Sequence, residues 1–131
     1  MVSIFVVAHE PLASALEVCA KHVLGEDPGI FIFDIQPNEC ASSTSALLAK
    51  ALLEADNGEG VLVLTDLPGA TPANIAVVAA HALRERGVDC RVLGGVNASM
   101  LLKVINYRNA TLDIVMNKAL LGATQSVLRV D

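Results

Sequence analysis

The chain has 131 residues, 53% hydrophobic and 18% charged, with a formal net charge of −5. That length holds one domain, residues 1–131, with a real core rather than two. The apolar content excludes disorder, and an acidic balance with no cluster among the nine basic residues excludes non-specific nucleic-acid binding, which runs on clustered Lys and Arg.

In chain order, the first element is the apolar run Val2–Ala8, which stops at His9-Glu10-Pro11. It is too short for a helix, rich in β-branched residues and without a polar face, as a strand covered on both sides reads. A helix begins at Pro11, a favoured first-turn residue, carries Leu12, Ala15, Leu16, Cys19, Val23 and Leu24, and ends at Gly25. The turn cluster Glu26–Gly29 leads to a second strand, Ile30–Ile35, closed by Gln36-Pro37-Asn38. Ser42–Ser45 supply N-cap candidates for a helix with Leu47, Leu48, Ala51, Leu52 and Ala55, broken at Asp56-Asn57-Gly58. The third strand, Gly60–Thr65, ends at Asp66 as the first ends at His9. Pro68-Gly69 make a turn, Thr71 is an N-cap candidate, and Pro72 takes the first helical position of a helix through Ile75, Val78, Ala79 and Leu83, stopped by Gly87. The fourth strand is Cys90–Val96, whose Gly94-Gly95 pair permits a close backbone approach or a bulge. Helices follow over Ala98–Tyr107 and from Thr111 to about Ala123. The tail, Gln125–Asp131, alternates apolar and polar residues as an edge strand with one wet face does.

Strands alternating with helices predict a parallel sheet covered on both faces. Cys19, Cys40 and Cys90 are far apart, include no CxxC and cannot all pair, so they read as buried thiols of a reducing compartment, which points to the cytoplasm. No apolar run reaches the roughly 18 residues that span a bilayer and the N-terminus lacks a basic region, so neither membrane insertion nor a signal peptide is expected. GxGxxG, GxxxxGK[ST] and GxSxG are all absent, which removes the usual phosphate loops and the nucleophile elbow and leaves no cofactor expected. His9, His22 and His81 are too widely spaced to predict a metal site.

The chemistry concentrates at two strand ends. An imidazole is a good nucleophile near neutrality, and a carboxylate that holds one ring nitrogen leaves the other free to take a group. His9 and Asp66 meet in one crevice if the first and third strands are neighbours. The segment Gly69-Ala70-Thr71 adds backbone amides, a hydroxyl and a helix N-terminus, which favour an anion such as phosphate.

His9 at the end of the first strand, Asp66-Leu-Pro-Gly-Ala-Thr-Pro-Ala-Asn74 and Gly94-Gly-Val-Asn97 together resemble the mannose-family IIA component of the bacterial phosphoenolpyruvate:sugar phosphotransferase system (PTS), over essentially the whole chain. The resemblance implies that His9 is the phosphorylated histidine, Asp66 its orienting carboxylate and Gly69, Ala70 and Thr71 the phosphate-binding segment. It implies a relay from the phosphohistidine carrier protein HPr to a IIB component, in sugar uptake or regulation, with no metal or cofactor. The fold then expected is three-layer α/β, with a four-stranded parallel sheet in order 2-1-3-4 and a C-terminal antiparallel edge strand swapped in a homodimer. Two residues depart from the family pattern: Glu10-Pro11 stands where glycine usually follows the histidine, and Ala70 replaces the second loop glycine. Two other functions compete: a small-ligand or regulatory binding module on a flavodoxin-like scaffold, and a hydrolase using His9, Asp66 and Thr71.

Overall fold

A computed structural model describes all residues, Met1–Asp131, as β1 (Ser3–His9), α1 (Leu12–Leu24), β2 (Phe31–Ile35), α2 (Ala41–Ala55), β3 (Val61–Thr65), α3 (Thr71–Glu85), β4 (Cys90–Leu93), α4 (Ala98–Tyr107) and α5 (Leu112–Gln125). The four strands form one parallel sheet in the order β2-β1-β3-β4. The chain steps outward from β1 to β2, then returns across β1 to build β3 and β4. The strand order therefore reverses between β1 and β3, where open α/β sheets bind their ligands.

Side chains alternate along each strand, so the sheet has two dry faces. Ile4, Val6, Leu62 and Leu64 pack under α1, α4 and α5 with Leu16, Leu101, Val104 and Val115. Phe5, Val7, Val61 and Val63 pack under α2 and α3 with Leu48, Leu52, Ile75 and Leu83. Leu48, Leu52, Leu62 and Leu64 are fully buried, each contributing about 1.5–3 kcal/mol by leaving water. The central strands are thus locked by packing on both sides, which fixes where their C-terminal ends lie.

The structure differs from the sequence expectations at several helix faces and ends. In α1 the buried stripe is Ala13, Leu16 and Ala20; Leu12, Ala15, Cys19 and Val23, expected inside, are exposed. The helix carries apolar residues on a wider arc than the sheet can cover, and periodicity alone does not say which part is covered. Cys19 on that outer arc and Cys40 at the start of α2 are exposed and only Cys90 is buried, against the expectation of three buried thiols. Burial raises the Cys90 thiol to about 11, whereas hydrogen bonds from Ser42 and Ser43 bring Cys40 to about 7.

The N-cap of α2 is Cys40, without a side-chain cap. Ser45 instead donates back to the Ala41 carbonyl at 2.7 Å and Thr44 to Glu39 at 2.6 Å. Hydroxyls in a first turn can satisfy themselves in this way without capping the helix. Likewise the N-cap of α3 is Ala70, so Thr71 opens the helix and Pro72 is its second residue. Asn97 and Thr111 do cap α4 and α5, accepting from the Met100 and Ile114 amides. β4 stops at Leu93, before the glycine pair. The tail after α5 forms no strand within the single chain, and Val127 and Val130 are 83% and 92% exposed; an alternating segment is a strand only where a second strand pairs with it. No helix is long and apolar enough to cross a membrane.

Candidate functional site

The site lies at the carboxyl ends of β1 and β3. β1 pairs with β3 as far as Val7 with Thr65, and with β2 as far as His9 with Ile35. His9 is therefore the last residue held by the sheet and Asp66 the first to leave it. The Asp66 carboxylate accepts the His9 amide at 3.0 Å and the His9 ring at Nδ1, 2.7 Å away, both on Oδ2. Its other oxygen accepts the Leu67 amide at 2.8 Å. Asp66 is only 8% exposed, while the His9 side chain is 48% exposed. Burial acts to raise the carboxyl pKa, but the hydrogen bonds from the His9 amide and ring and from the Leu67 amide outweigh it and hold the group below its ordinary range. An anionic acceptor at Nδ1 holds a proton on that nitrogen, so in the neutral ring the lone pair lies on Nε2.

Further contacts around the pair fix the turns that carry it. Asp34 of β2 accepts the Ser14 amide at 3.1 Å and also the Ser14 hydroxyl, pinning the start of α1 to the sheet and so the turn that follows His9. The Gly95 amide donates to the Asp66 carbonyl at 2.7 Å and the Val96 amide to the Thr65 carbonyl at 3.0 Å, fastening the β4–α4 turn to the β3–α3 turn. Gly94 lies so close to Pro68 that a Cβ built there would stand 2.7 Å from the proline Cγ. The expected close approach of the glycine pair is therefore real, although it lies past the strand. A Gly94→Ala chain is expected to lose about 1–3 kcal/mol of stability, the usual cost of overpacking a rigid contact, in urea denaturation with an unchanged m-value.

An open cavity of about 620 Å³ surrounds His9, Glu10, Leu12, Asp66, Leu67 and Val96. His9 and Asp66 are thus brought together as the sequence predicts. Gly69, Ala70 and Thr71 lie on the adjoining turn and at the start of α3, outside the lining of this cavity. The Ala70 amide is committed to the Leu67 carbonyl at 3.1 Å, whereas the amides of Gly69 and Thr71 have no acceptor. His22 and His81 lie elsewhere; His81 pairs with Glu85 on the outside of α3, 3.1 Å away.

Sequence reasoning did not single out Asp34, although one carboxylate inside the apolar run Ile30–Ile35 was the signal that could have found it. Leu12 and Leu67 were also missed as parts of the cavity wall. Leu12 read only as one of the apolar residues of the first helix, and Leu67 only as part of the segment Asp66–Asn74.

Chemically, the arrangement offers one exposed nucleophilic nitrogen, a buried carboxylate that fixes the opposite nitrogen, and an adjoining helix N-terminus with free amides. It suits the transfer of an anionic group onto Nε2.

The family model described as PTS system fructose IIA component matches residues 3–120. The chain is 36% identical over 64 residues to the putative phosphotransferase enzyme IIA component YadI of Escherichia coli strain K12, covering 49% of this chain and 41% of that protein. It is 28% identical over 118 residues to the transcriptional regulatory protein LevR of Bacillus subtilis strain 168, covering 87% of this chain and 12% of that protein. The matched regions thus span less than half the length of either curated relative. The fold superposes on the mannose/sorbose specific IIA subunit of the phosphotransferase system from Enterococcus faecalis with a TM-score of 0.86 at 25% identity, covering 99% of this chain and 95% of that one.

Proposed function

The chain belongs to the family of PTS system fructose IIA components, a membership that carries a phosphotransfer role in sugar PTS, and from that premise we propose that His9 is its phosphoryl carrier. In this reading HPr, phosphorylated on its own histidine, docks over the cavity and His9 Nε2 attacks the phosphorus in line. The group later passes to a IIB component. The single observation that carries the reading is the 2.7 Å contact between His9 Nδ1 and the buried Asp66 carboxylate, because it selects the tautomer of the neutral ring whose lone pair lies on Nε2, on a side chain that is half exposed.

Asp66 acts as a positioning residue and electrostatic support. It holds the ring, and it stabilises the positive charge that grows on the imidazole as Nε2 gives up its lone pair. The phosphoryl oxygens are received by the Gly69-Ala70-Thr71 segment, where the Gly69 and Thr71 amides and the Thr71 hydroxyl are free and the N-terminus of α3 adds its partial positive charge. Ala70 shapes the turn, its own amide being used within it.

Incubation with phosphoenolpyruvate, enzyme I and HPr, followed by intact mass, tests the proposal. The expected result is one added phosphate that depends on HPr. No mass gain would favour a binding module in which His9 and Asp66 only line the cavity. The likeness to LevR across 87% of this chain supports a second use of the same chemistry, in which the phosphorylation state of His9 is read as a regulatory signal.

The exposed tail completes the proposal. Edge strands with free backbone groups are normally covered, and the Ser126–Val130 alternation fits a strand laid antiparallel on the sheet of a second copy, an exchange that makes a two-fold dimer. Sedimentation at micromolar concentration is expected to give a dimer for the full chain and a monomer for a chain ending at Thr124. A monomeric full chain, or a truncated chain that stays dimeric, contradicts the exchange and leaves the His9 chemistry untouched.

A further inference from the structure

The cavity at His9 carries formal charge of one sign. Among its nine lining residues are two carboxylates, Glu10 and Asp66, and no lysine or arginine. Asp66 is fully engaged, buried and accepting three hydrogen bonds. Glu10 is the opposite case. Its amide is fixed to the Ile35 carbonyl at 3.0 Å, which anchors its backbone just past the end of β1, but the residue is exposed and its carboxylate enters none of the chain's ion pairs. An unpaired anion is thus held one residue from the nucleophile.

A phosphoryl group brings about two further negative charges to that spot. With a site so built, Coulomb repulsion disfavours any phosphodonor that arrives without a cation, and the chain supplies none from the cavity wall. We infer that Glu10 is a partner-recognition residue, whose carboxylate pairs with a lysine or arginine that the donor protein presents beside its own phosphohistidine. The inference rests on the His9 relay proposed above and adds to it the source of the cation at the moment of transfer. The donor's N–P bond breaks as the His9 Nε2–P bond forms. The electron pair of the broken bond stays on the donor imidazole, the proton on His9 Nδ1 stays against Asp66, and no redox step or further reactant is involved. The donor's cation bridges Glu10 and the travelling oxygens, so one carboxylate both attracts the right partner and repels small phosphates.

Two donors of different charge separate these effects. Phosphorylated HPr is the protein donor. Phosphoramidate is the small one, from which Nε2 displaces ammonia as the P–N bond breaks. Initial rates are read by intact mass for the wild-type chain and Glu10→Gln, with circular dichroism confirming the fold of both. At low salt Glu10→Gln is expected to react about three- to tenfold more slowly with phosphorylated HPr and a few-fold faster with phosphoramidate, the scale of one charge acting across several ångströms near a wet surface. Both differences shrink towards molar salt, where the screening length falls to about 3 Å. Rates that move together for the two donors, or a change with only one of them, or no change at all, overturn the inference while the His9 relay stands. A wild-type chain that takes phosphate from neither donor overturns the relay and the inference with it.

Discussion

A His9→Ala chain is expected to gain no phosphate when incubated with phosphoenolpyruvate, enzyme I and HPr, while keeping the wild-type fold. The loss should be complete rather than partial, because no second nucleophile is placed to substitute. His22 and His81 stand away from the cavity, and neither has a buried carboxylate behind it. His9 contributes little to the core, with its side chain 48% exposed, so the truncation removes chemistry without opening a cavity. Wild-type phosphoprotein should lose its phosphate in acid and keep it in alkali, as a phosphorus–nitrogen bond on imidazole does. A His9→Ala chain that still accepts a phosphoryl group from HPr would place the carrier elsewhere.

The second large effect belongs to Asp66. Its two oxygens accept three N–H groups, two on Oδ2 and one on Oδ1. An asparagine offers one oxygen and one NH2. In one orientation the NH2 confronts the Leu67 amide; in the other it confronts the His9 amide and donates to Nδ1, which forces the proton onto Nε2 and removes the nucleophile. Both orientations also discard the negative charge that supports an imidazolium. Asp66→Asn is therefore expected to fold but to transfer at least about 100-fold more slowly, with a stability loss of about 1–3 kcal/mol from the mismatched buried donor. The stability loss depends on pH in a definite direction. The folded-state pKa of Asp66 is depressed, so its contribution is fully present above the ordinary carboxylate range and is lost as pH falls through the lowered value. The stability gap between wild type and Asp66→Asn, measured by urea denaturation, should close towards acid pH. Unchanged transfer kinetics in a folded Asp66→Asn chain would reduce Asp66 to a structural cap.

The sheet was legible in the sequence because buried parallel strands read as unbroken apolar runs, and Val2–Ala8, Ile30–Ile35 and Gly60–Thr65 fall within two residues of β1, β2 and β3. His9 and Asp66 were legible for a related reason. Each is the first polar residue after such a run, so the sheet that buries the run delivers the residue to its edge. What the sequence did not reveal was set by tertiary competition. The apolar arc of α1 exceeds what the sheet covers, so Leu12 and Cys19 face outward. The hydroxyls of Thr44 and Ser45 donate to the Glu39 carboxylate and the Ala41 carbonyl instead of accepting from helix amides. Asp34 acts through Ser14, 20 positions away in the chain, a pairing that local pattern does not contain.

The position of the phosphate on the imidazole ring tests the account most directly. Nitrogen-resolved NMR of the phosphorylated chain, labelled at histidine, distinguishes the two isomers of phosphohistidine. With Nδ1 held by Asp66 at 2.7 Å, the phosphate should sit on Nε2 of His9, with the Nδ1 proton still hydrogen-bonded to the carboxylate. Phosphate on Nδ1 would require the His9–Asp66 contact to break, and would contradict the claim that this contact makes the nucleophile.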